Sequence, residues 1–98
     1  MYFCANSKKE NNVDILVGKP TESEVSKMKS KPVWSCGVSE FDWHYDSEET
    51  ALIIEGEVTV SYSSKSVSFV AGDYVVFPKG LSCFWQVKKA VKKHYMFE

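Results

Sequence analysis

The stretch GVSEFDWHYDSEETALIIEG, residues 37–56, carries the clearest strand pattern in the chain. A glycine stands at each of its ends, and polar residues in its middle separate an aromatic segment from a mainly apolar one. Side chains two apart in a strand share a face, so Trp43 and Tyr45 point one way and His44 points the other. Glu49 opens the next strand, which ends at Gly56. The stretch therefore predicts two successive β-strands.

The chain from Pro32 onward continues in short runs bounded by Gly, Pro, Ser and Asp, at a spacing of roughly eight to twelve residues. After Gly56, we predict strands over residues 58–62, 67–69, 74–77, 81–87 and 91–97. Antiparallel strands with short turns, in a chain of 98 residues, predict one all-β domain. The favoured architecture is a jelly roll, in which two sheets wrap together and close their edges.

One strand and one short helix are predicted ahead of Pro32. Val13, Ile15 and Val17 recur with the period of two that is typical of a half-buried strand. Thr21 and Glu24 have the spacing of a capping box, which predicts a helix over residues 22–29. Residues 5–12 are polar and lack periodicity, so we expect residues 1–12 to form a loose tail before a single domain at residues 13–98.

Charge and cysteine content limit the classes of partner and compartment. The formal net charge is -1, which gives no basic field to attract nucleic acid or an anionic membrane. The clustered Lys88, Lys89, Lys92 and Lys93 are interpreted as a solvated strand end. The three cysteines, Cys4, Cys36 and Cys83, form no CxxC motif and cannot all pair within one chain. We expect a reducing, cytoplasmic location, or an organelle if a leader has been removed.

The spacing of glycines across two stretches resembles the two sequence motifs of the cupin family. The first motif is Gly, five residues, His-x-His, three or four residues, Glu, six residues, Gly; the second is Gly, five residues, Pro-x-Gly, two residues, His. The matching positions are Gly37, Glu49 and Gly56 in the first and Gly72, Pro78 and Gly80 in the second. Trp43, Tyr45 and Cys83 stand where the family has its metal-binding histidines. The resemblance implies a cupin barrel with an altered pocket.

Further segments, among them FDW at 41–43, IIEG at 53–56 and KKHY at 92–95, resemble one subgroup of small, single-domain, functionally uncharacterised cupins. This subgroup is distantly similar to ureidoglycine aminohydrolase and to the ethanolamine-utilisation cupin. The resemblance covers about residues 13–98. It does not by itself imply a reaction, because one fold hosts many functions.

With the motifs aligned in this way, strand alternation predicts which side chains line the pocket. Trp43 and Tyr45 face inward with Glu49, and Cys83 shares its inward parity with Trp85. His44 is expected on the outer surface. Glu49 should have a raised pKa in such an aromatic cavity, which makes it the first catalytic candidate. Cys83 is the second candidate, as a nucleophile or else as an inert buried thiol.

We expect no cofactor, and a divalent metal is the alternative. Zinc accepts thiolate, carboxylate and imidazole, so Glu49 and Cys83 would need one further donor. Tyr45 would have to ionise, and His94 would have to face inward. The last strand has two alternative parities: Val91, Lys93, Tyr95 and Phe97 inside, or Lys92, His94 and Met96 inside. The sequence pattern leaves both open.

The leading functional prediction is a small-molecule-binding cupin. A planar or sugar-like ligand would stack between Trp43 and Trp85 and hydrogen-bond to Tyr45 and Glu49, with Cys83 on the floor. One alternative is an enzyme of the hydrolase or isomerase type that acts on a small nitrogen-containing or carbohydrate substrate through Glu49. Another is a non-enzymatic subunit of a larger assembly. We also expect a homodimer, because so small a barrel leaves apolar strand surface to cover.

Overall fold

The structure, a computed structural model, describes residues 14–98. The predicted tail at residues 1–12 and the predicted strand residue Val13 lie outside the described residues. The elements, in chain order, are β1 (Leu16–Gly18), α1 (Glu22–Lys29), β2 (Val33–Cys36), β3 (Ser39–His44), β4 (Glu49–Tyr62), β5 (Lys65–Val70), β6 (Tyr74–Phe77) and β7 (Ser82–Phe97).

Two antiparallel sheets share the long strands β4 and β7. The first half of β4 pairs with β6 on one side and with the second half of β7 on the other, and β1 and β2 complete this first sheet. The second half of β4 pairs with β5 and with the first half of β7, whose other edge is taken by β3. The predicted all-β jelly roll is confirmed.

Strands β4 and β7 are each longer than the sequence pattern predicted. Residues 49–55 and 58–62 belong to one strand, and so do residues 81–87 and 91–97 apart from Leu81. The predicted breaks are bulges at which both strands bend from one sheet into the other, between Ile53 and Val58. Gly56 lies at this crossing with a φ of +106°. A Cβ atom there would come within 2.5 Å of the carbonyl oxygen of Ala90, so the crossing requires glycine.

The helix α1 occupies the predicted residues and has the predicted cap. The Thr21 side chain accepts a hydrogen bond from the backbone N–H of Glu24, and the Glu24 carboxylate accepts one from the backbone N–H of Thr21. Met28 is fully buried where the helix packs against β4 and β7. Among residues 14–98, no helix has the length and apolar composition needed to cross a bilayer.

Aromatic rings fill the space between the two sheets. Tyr45 stacks on Phe77 with ring centroids 4.9 Å apart, and Trp85 stacks on Phe41 at 5.8 Å. Phe69 meets both Phe77 and Trp85 edge-on. Such offset and edge-on pairs add to the free energy of burial, since the positive edge of one ring meets the negative face of another. One end of this core remains hollow.

Candidate functional site

A cavity of about 240 Å³ lies at the hollow end of the barrel, next to the first sheet. Six of its eight lining residues are aromatic and two are oppositely charged. They are Trp34, Phe41, Trp43, Tyr45, Glu49, Lys93, Tyr95 and Phe97. Trp43 is 49% exposed and Phe97 is 51% exposed, so these two side chains form a rim that is open to solvent. The cavity is therefore apolar on its walls, charged at one point and accessible.

Strand alternation supplies most of this lining. Trp34 comes from β2, and Phe41 and Trp43 are two residues apart on β3. The second half of β7 contributes Lys93, Tyr95 and Phe97 at intervals of two. The structure thus adopts the first of the two parities that the sequence left open for the last strand.

His94, on the opposite parity, lies outside the cavity. Its Nδ1 is 2.9 Å from the backbone oxygen of Lys31. His44 is also outward, as predicted, with its Nδ1 2.8 Å from the hydroxyl of Ser82. Neither imidazole reaches the cavity.

The two charges in the cavity form a buried ion pair. Lys93 Nζ donates a hydrogen bond of 2.6 Å to Glu49 Oε2, and the two side chains are only 6% and 4% exposed. Nζ also lies 4.9 Å from the ring centroid of Trp34 and 4.9 Å from that of Trp85. The interpretation of Lys93 as part of a solvated strand end is therefore wrong. Inward parity at the end of β7 carries this lysine into the barrel.

Burial works against the charge of both partners. It raises the pKa of the Glu49 carboxyl above its usual value, although the charge and hydrogen bond of Lys93 lower it. It lowers the pKa of the Lys93 amine, although Glu49 raises it. The proton that the pair shares is therefore held less firmly on nitrogen than it would be in water.

Two buried polar atoms beside the pair are unsatisfied within the described part of the chain. Tyr45 Oη and Trp85 Nε1 have no hydrogen-bond partner there. Burial raises the pKa of Tyr45, and the charge of Glu49 raises it further, so the phenol is a neutral donor. Tyr45 lines the cavity with its ring, and its hydroxyl is buried close enough to Glu49 for that charge to act on it. A buried polar group without a partner costs about 1–3 kcal/mol of stability.

Trp85 lies behind the cavity and is not part of its lining. It is 2% exposed and packed between Phe41, Phe69 and Phe77. The prediction that Trp85 forms one wall is corrected in this respect, because Phe41 and Trp34, which pack against the indole, line the space in its place. Strand alternation predicts that the Trp85 side chain points inward, but it does not predict which aromatic rings pack against it.

Cys83 also stands outside the lining of this cavity. Its thiol is 3.6 Å from the backbone oxygen of Trp43. Cys83 lines a second, more open cleft, which shares Trp43 with the cavity and includes Asp42, Ser61 and Phe84. Burial raises the pKa of Cys83 to about 11, and the charges of Asp42 and Glu49 add to the rise. A thiol in this state is a poor nucleophile at neutral pH. The floor predicted at Cys83 is occupied instead by the ion pair.

The donors near the cavity do not fit a bound metal ion. Among residues 14–98, no three His, Cys, Asp or Glu side chains come together in a geometry that could hold one. Glu49, the carboxylate that matches the family motif, is already engaged with Lys93. A cationic side chain therefore stands beside the carboxylate in the place where a metal would need open coordination sites.

Four of the aromatic lining residues and the lysine were not among the predicted site residues. They are Trp34, Phe41, Tyr95, Phe97 and Lys93. Phe41 could have been found, because it shares the parity of Trp43. Tyr95, Phe97 and Lys93 were present in one of the two alternatives for the last strand. No local pattern identified Trp34, because its place in the cavity depends on the pairing of β2 with β7, which the sequence pattern does not predict.

Comparison with protein families matches residues 23–95 to the EutQ-like cupin domain. This match covers most of the chain and both of the motifs around Glu49 and Cys83. The chain belongs to the EutQ-like cupin family.

Among solved structures, this cupin is similar to a DUF861 family protein from Thermotoga maritima. The two share 41% sequence identity with a TM-score of 0.83, over 87% of this chain and all of the other. It also resembles a putative ethanolamine utilization protein Q from Salmonella typhimurium, with 25% identity and a TM-score of 0.62 over 66% of this chain. The EutQ protein of Clostridium difficile has the same TM-score at 22% identity, which supports the fold alone.

The cupin spans about half the length of these two EutQ proteins, 53% and 52% respectively. A search of curated proteins found no match. The predicted similarity to the ethanolamine-utilisation cupin is thus confirmed at the level of the family. The predicted similarity to ureidoglycine aminohydrolase is not among the relationships that these comparisons establish.

Proposed function

We propose that this cupin binds a small organic molecule in the aromatic cavity. The observation that carries the proposal is the buried Glu49–Lys93 pair at the base of an accessible space with aromatic walls. Burying two charges is costly, because the loss of hydration cancels much of their attraction. A buried ion pair beside an accessible space therefore favours a functional role. Ligand sites in proteins typically combine apolar walls with a few fixed polar groups, and this cavity has that composition.

The chemistry of the walls limits the ligand class. A volume of about 240 Å³ holds a body no larger than one or two small rings. Trp43 and Trp34 offer faces for stacking near the opening, in place of the predicted pair of Trp43 and Trp85. Glu49 offers an acceptor, Lys93 a donor, and Tyr45 a second donor that lacks a partner in the described structure. A planar or sugar-like molecule with adjacent donor and acceptor atoms satisfies all three.

A ligand screen tests this proposal. A library of small metabolites is screened by thermal shift, and hits are measured by calorimetry on the wild-type protein, Trp43→Ala and Phe84→Ala. Phe84 is the matched control, since it is an aromatic residue on the neighbouring strand that borders the other cleft. We expect Trp43→Ala to weaken binding about tenfold or more and Phe84→Ala to leave it unchanged. Equal affinity in all three proteins would place the ligand elsewhere.

A second candidate function is catalysis of proton transfer within the same cavity. The raised pKa of Glu49 favours it, because a carboxyl that titrates closer to neutral pH can both give and accept a proton. The substrate class stays that of a small nitrogen-containing or carbohydrate compound. Glu49→Gln should preserve ligand binding and abolish turnover of any bound compound that is converted. Unchanged turnover in Glu49→Gln would remove Glu49 from the reaction.

A further inference from the structure

The lysine in the cavity has the surroundings of a nucleophilic amine. Lys93 lines the accessible space, its side chain is 6% exposed, and Nζ donates its hydrogen bond to Glu49. The other lysines that the structure places in ion pairs have side chains that are about half exposed or more. They are Lys19, Lys65, Lys89 and Lys92. Lys93 is therefore chemically distinct from the surface lysines.

The Lys93 amine can become neutral by proton transfer within the ion pair, without loss of a proton to solvent. Transfer of one proton from Nζ to Oε2, across 2.6 Å, converts an ammonium and a carboxylate into an amine and a carboxylic acid. An apolar environment favours the uncharged form of both partners. Lysines desolvated in apolar pockets are the usual nucleophiles for carbonyl compounds.

We propose that Lys93 forms a Schiff base with an aldehyde or ketone that enters the aromatic cavity, with Glu49 as the proton carrier. This inference rests on the proposed function, since it names the substrate class of the same site. It extends that function from reversible binding to a covalent step.

Lys93 and Glu49 together account for every proton transfer in this reaction. The nitrogen lone pair of Lys93 attacks the carbonyl carbon, and the π electrons move to oxygen, which takes the proton held by Glu49. The nitrogen then returns a proton to the Glu49 carboxylate, giving a neutral carbinolamine. Glu49 next protonates the hydroxyl group, which leaves as water while the nitrogen lone pair forms the C=N bond. The remaining N–H proton of the resulting iminium returns to Glu49.

The direct test is reductive trapping on the full chain. The protein is incubated with benzaldehyde or, separately, propanal in the presence of sodium cyanoborohydride, which supplies hydride and reduces an imine to a stable secondary amine. Peptide mass spectrometry then locates the added benzyl or propyl group. We expect Lys93 to be labelled at least about tenfold faster than Lys92, the matched control that follows Val91 on the outward parity of the same strand.

Two variants examine the roles of the pair. Lys93→Arg keeps a buried cation but has no nucleophilic amine, so selective labelling should disappear. Glu49→Gln keeps the size of the side chain but cannot carry the proton, so the labelling rate at Lys93 should fall about tenfold or more. Because wild-type labelling is mapped residue by residue, the test does not depend on the folding of either variant.

Failure of this inference differs from failure of the proposed function. If both aldehydes quench tryptophan fluorescence in the wild type but not in Trp43→Ala, while Lys93 is labelled no faster than Lys92, the cavity binds ligands and the Schiff base is wrong. If neither aldehyde gives selective labelling and no library compound depends on Trp43, the binding proposal fails as well.

Discussion

At the scale of single residues, Glu49 and Lys93 are expected to be strongly coupled in stability. Removing one partner leaves a buried charge unpaired, so Glu49→Leu and Lys93→Met should each lower the free energy of unfolding by about 3–5 kcal/mol. The double variant should lose much less, because two apolar side chains suit the aromatic surroundings. Urea denaturation of the four proteins measures this cycle.

The exposed pair of Lys65 and Asp14 is the matched control for that cycle. Their side chains are 58% and 47% exposed at a separation of 2.8 Å. Solvent screening weakens such a pair, so Lys65→Met should leave the midpoint of denaturation nearly unchanged. If the double variant Glu49→Leu/Lys93→Met loses as much stability as the sum of the two single variants, the pair is not coupled.

Cys83 is expected to be protected from alkylation. The residue is 7% exposed, and burial raises the pKa of its thiol to about 11, so little thiolate exists at neutral or mildly alkaline pH. Iodoacetamide should therefore modify Cys83 slowly in the folded protein and rapidly in urea, as followed by peptide mass spectrometry. Fast modification of the native protein would revive the prediction that Cys83 is a nucleophile.

Three predicted site residues, Trp43, Tyr45 and Glu49, do lie together in the cavity. Alternation along β3 predicts the shared face of Trp43 and Tyr45 from local sequence, and the motif spacing places Glu49 at the start of β4. The charge pair could not be predicted in the same way. Lys93 lies 44 residues from Glu49 in the sequence. The segment around it is rich in lysine, which is typical of a solvent-exposed strand. Only the register of β4 against β7 decides which lysine enters the barrel.

At the scale of elements, Gly56 is expected to be intolerant of substitution. Its φ of +106° is strained for any other residue, and a Cβ atom would lie 2.5 Å from the carbonyl oxygen of Ala90. Gly56→Ala should lower the free energy of unfolding by at least about 1–3 kcal/mol, as measured by thermal unfolding. Gly37→Ala is the control, since nothing lies within 4 Å of its added Cβ and its φ is not positive.

The turn between β5 and β6 should lose stability in acid through Asp73. Burial alone would raise its pKa, but hydrogen bonds from Lys19 and from the backbone N–H of Val70 hold it below the ordinary value of 3.8. The folded state therefore binds this proton less readily than the unfolded state. The stabilisation is fully present above that value and is lost as pH falls through the folded pKa.

Asp73→Asn separates this contribution from other acid effects. The variant should be less stable than the wild type by about 1–2 kcal/mol at neutral pH, and the difference should shrink in acid. Urea denaturation across this pH range provides the measurement. A difference between the two proteins that does not change with pH would show that the Asp73 charge has no role.

Local sequence rules gave the helix more accurately than the long strands. The capping box of Thr21 and Glu24 fixes the first turn of α1, so the predicted residues 22–29 match the structure. Gly56 and the segment from Lys88 to Ala90 break the alternation, so the sequence pattern predicts strand ends there. In the structure the chain bends there and pairing resumes, because hydrogen bonds to the partner strand compensate for a local bulge.

At the scale of the whole molecule, the shared strands β4 and β7 join the two sheets around the core. Both strands pass from one sheet to the other at the crossing near Gly56. Aromatic rings fill the part near Phe69, whereas the part near Glu49 stays open. The sequence motifs indicated this barrel, but the size and side of the opening follow from long-range pairing that no local pattern encodes.

The edge strand β1 is the feature on which the prediction of a homodimer rests. Leu16 is opposite Val76 in β6, Val76 is opposite Thr50 in β4, and Thr50 is opposite Met96 in β7, which makes one row across four strands. Leu16, at the end of this row, is 63% exposed. Within the described residues β1 pairs only with β6, so its free edge can pair with a second copy of the chain.

Light scattering after size-exclusion chromatography gives the test. The expected mass is twice the chain mass of 11.1 kDa. Leu16→Lys should shift the protein to a monomer, because a charged side chain at that position is unfavourable in an apolar contact. Val38→Lys is the control, since Val38 is 72% exposed in the turn between β2 and β3, away from this edge. A wild-type protein that stays monomeric at high concentration would show that the exposed Leu16 and the free edge of β1 form no interface.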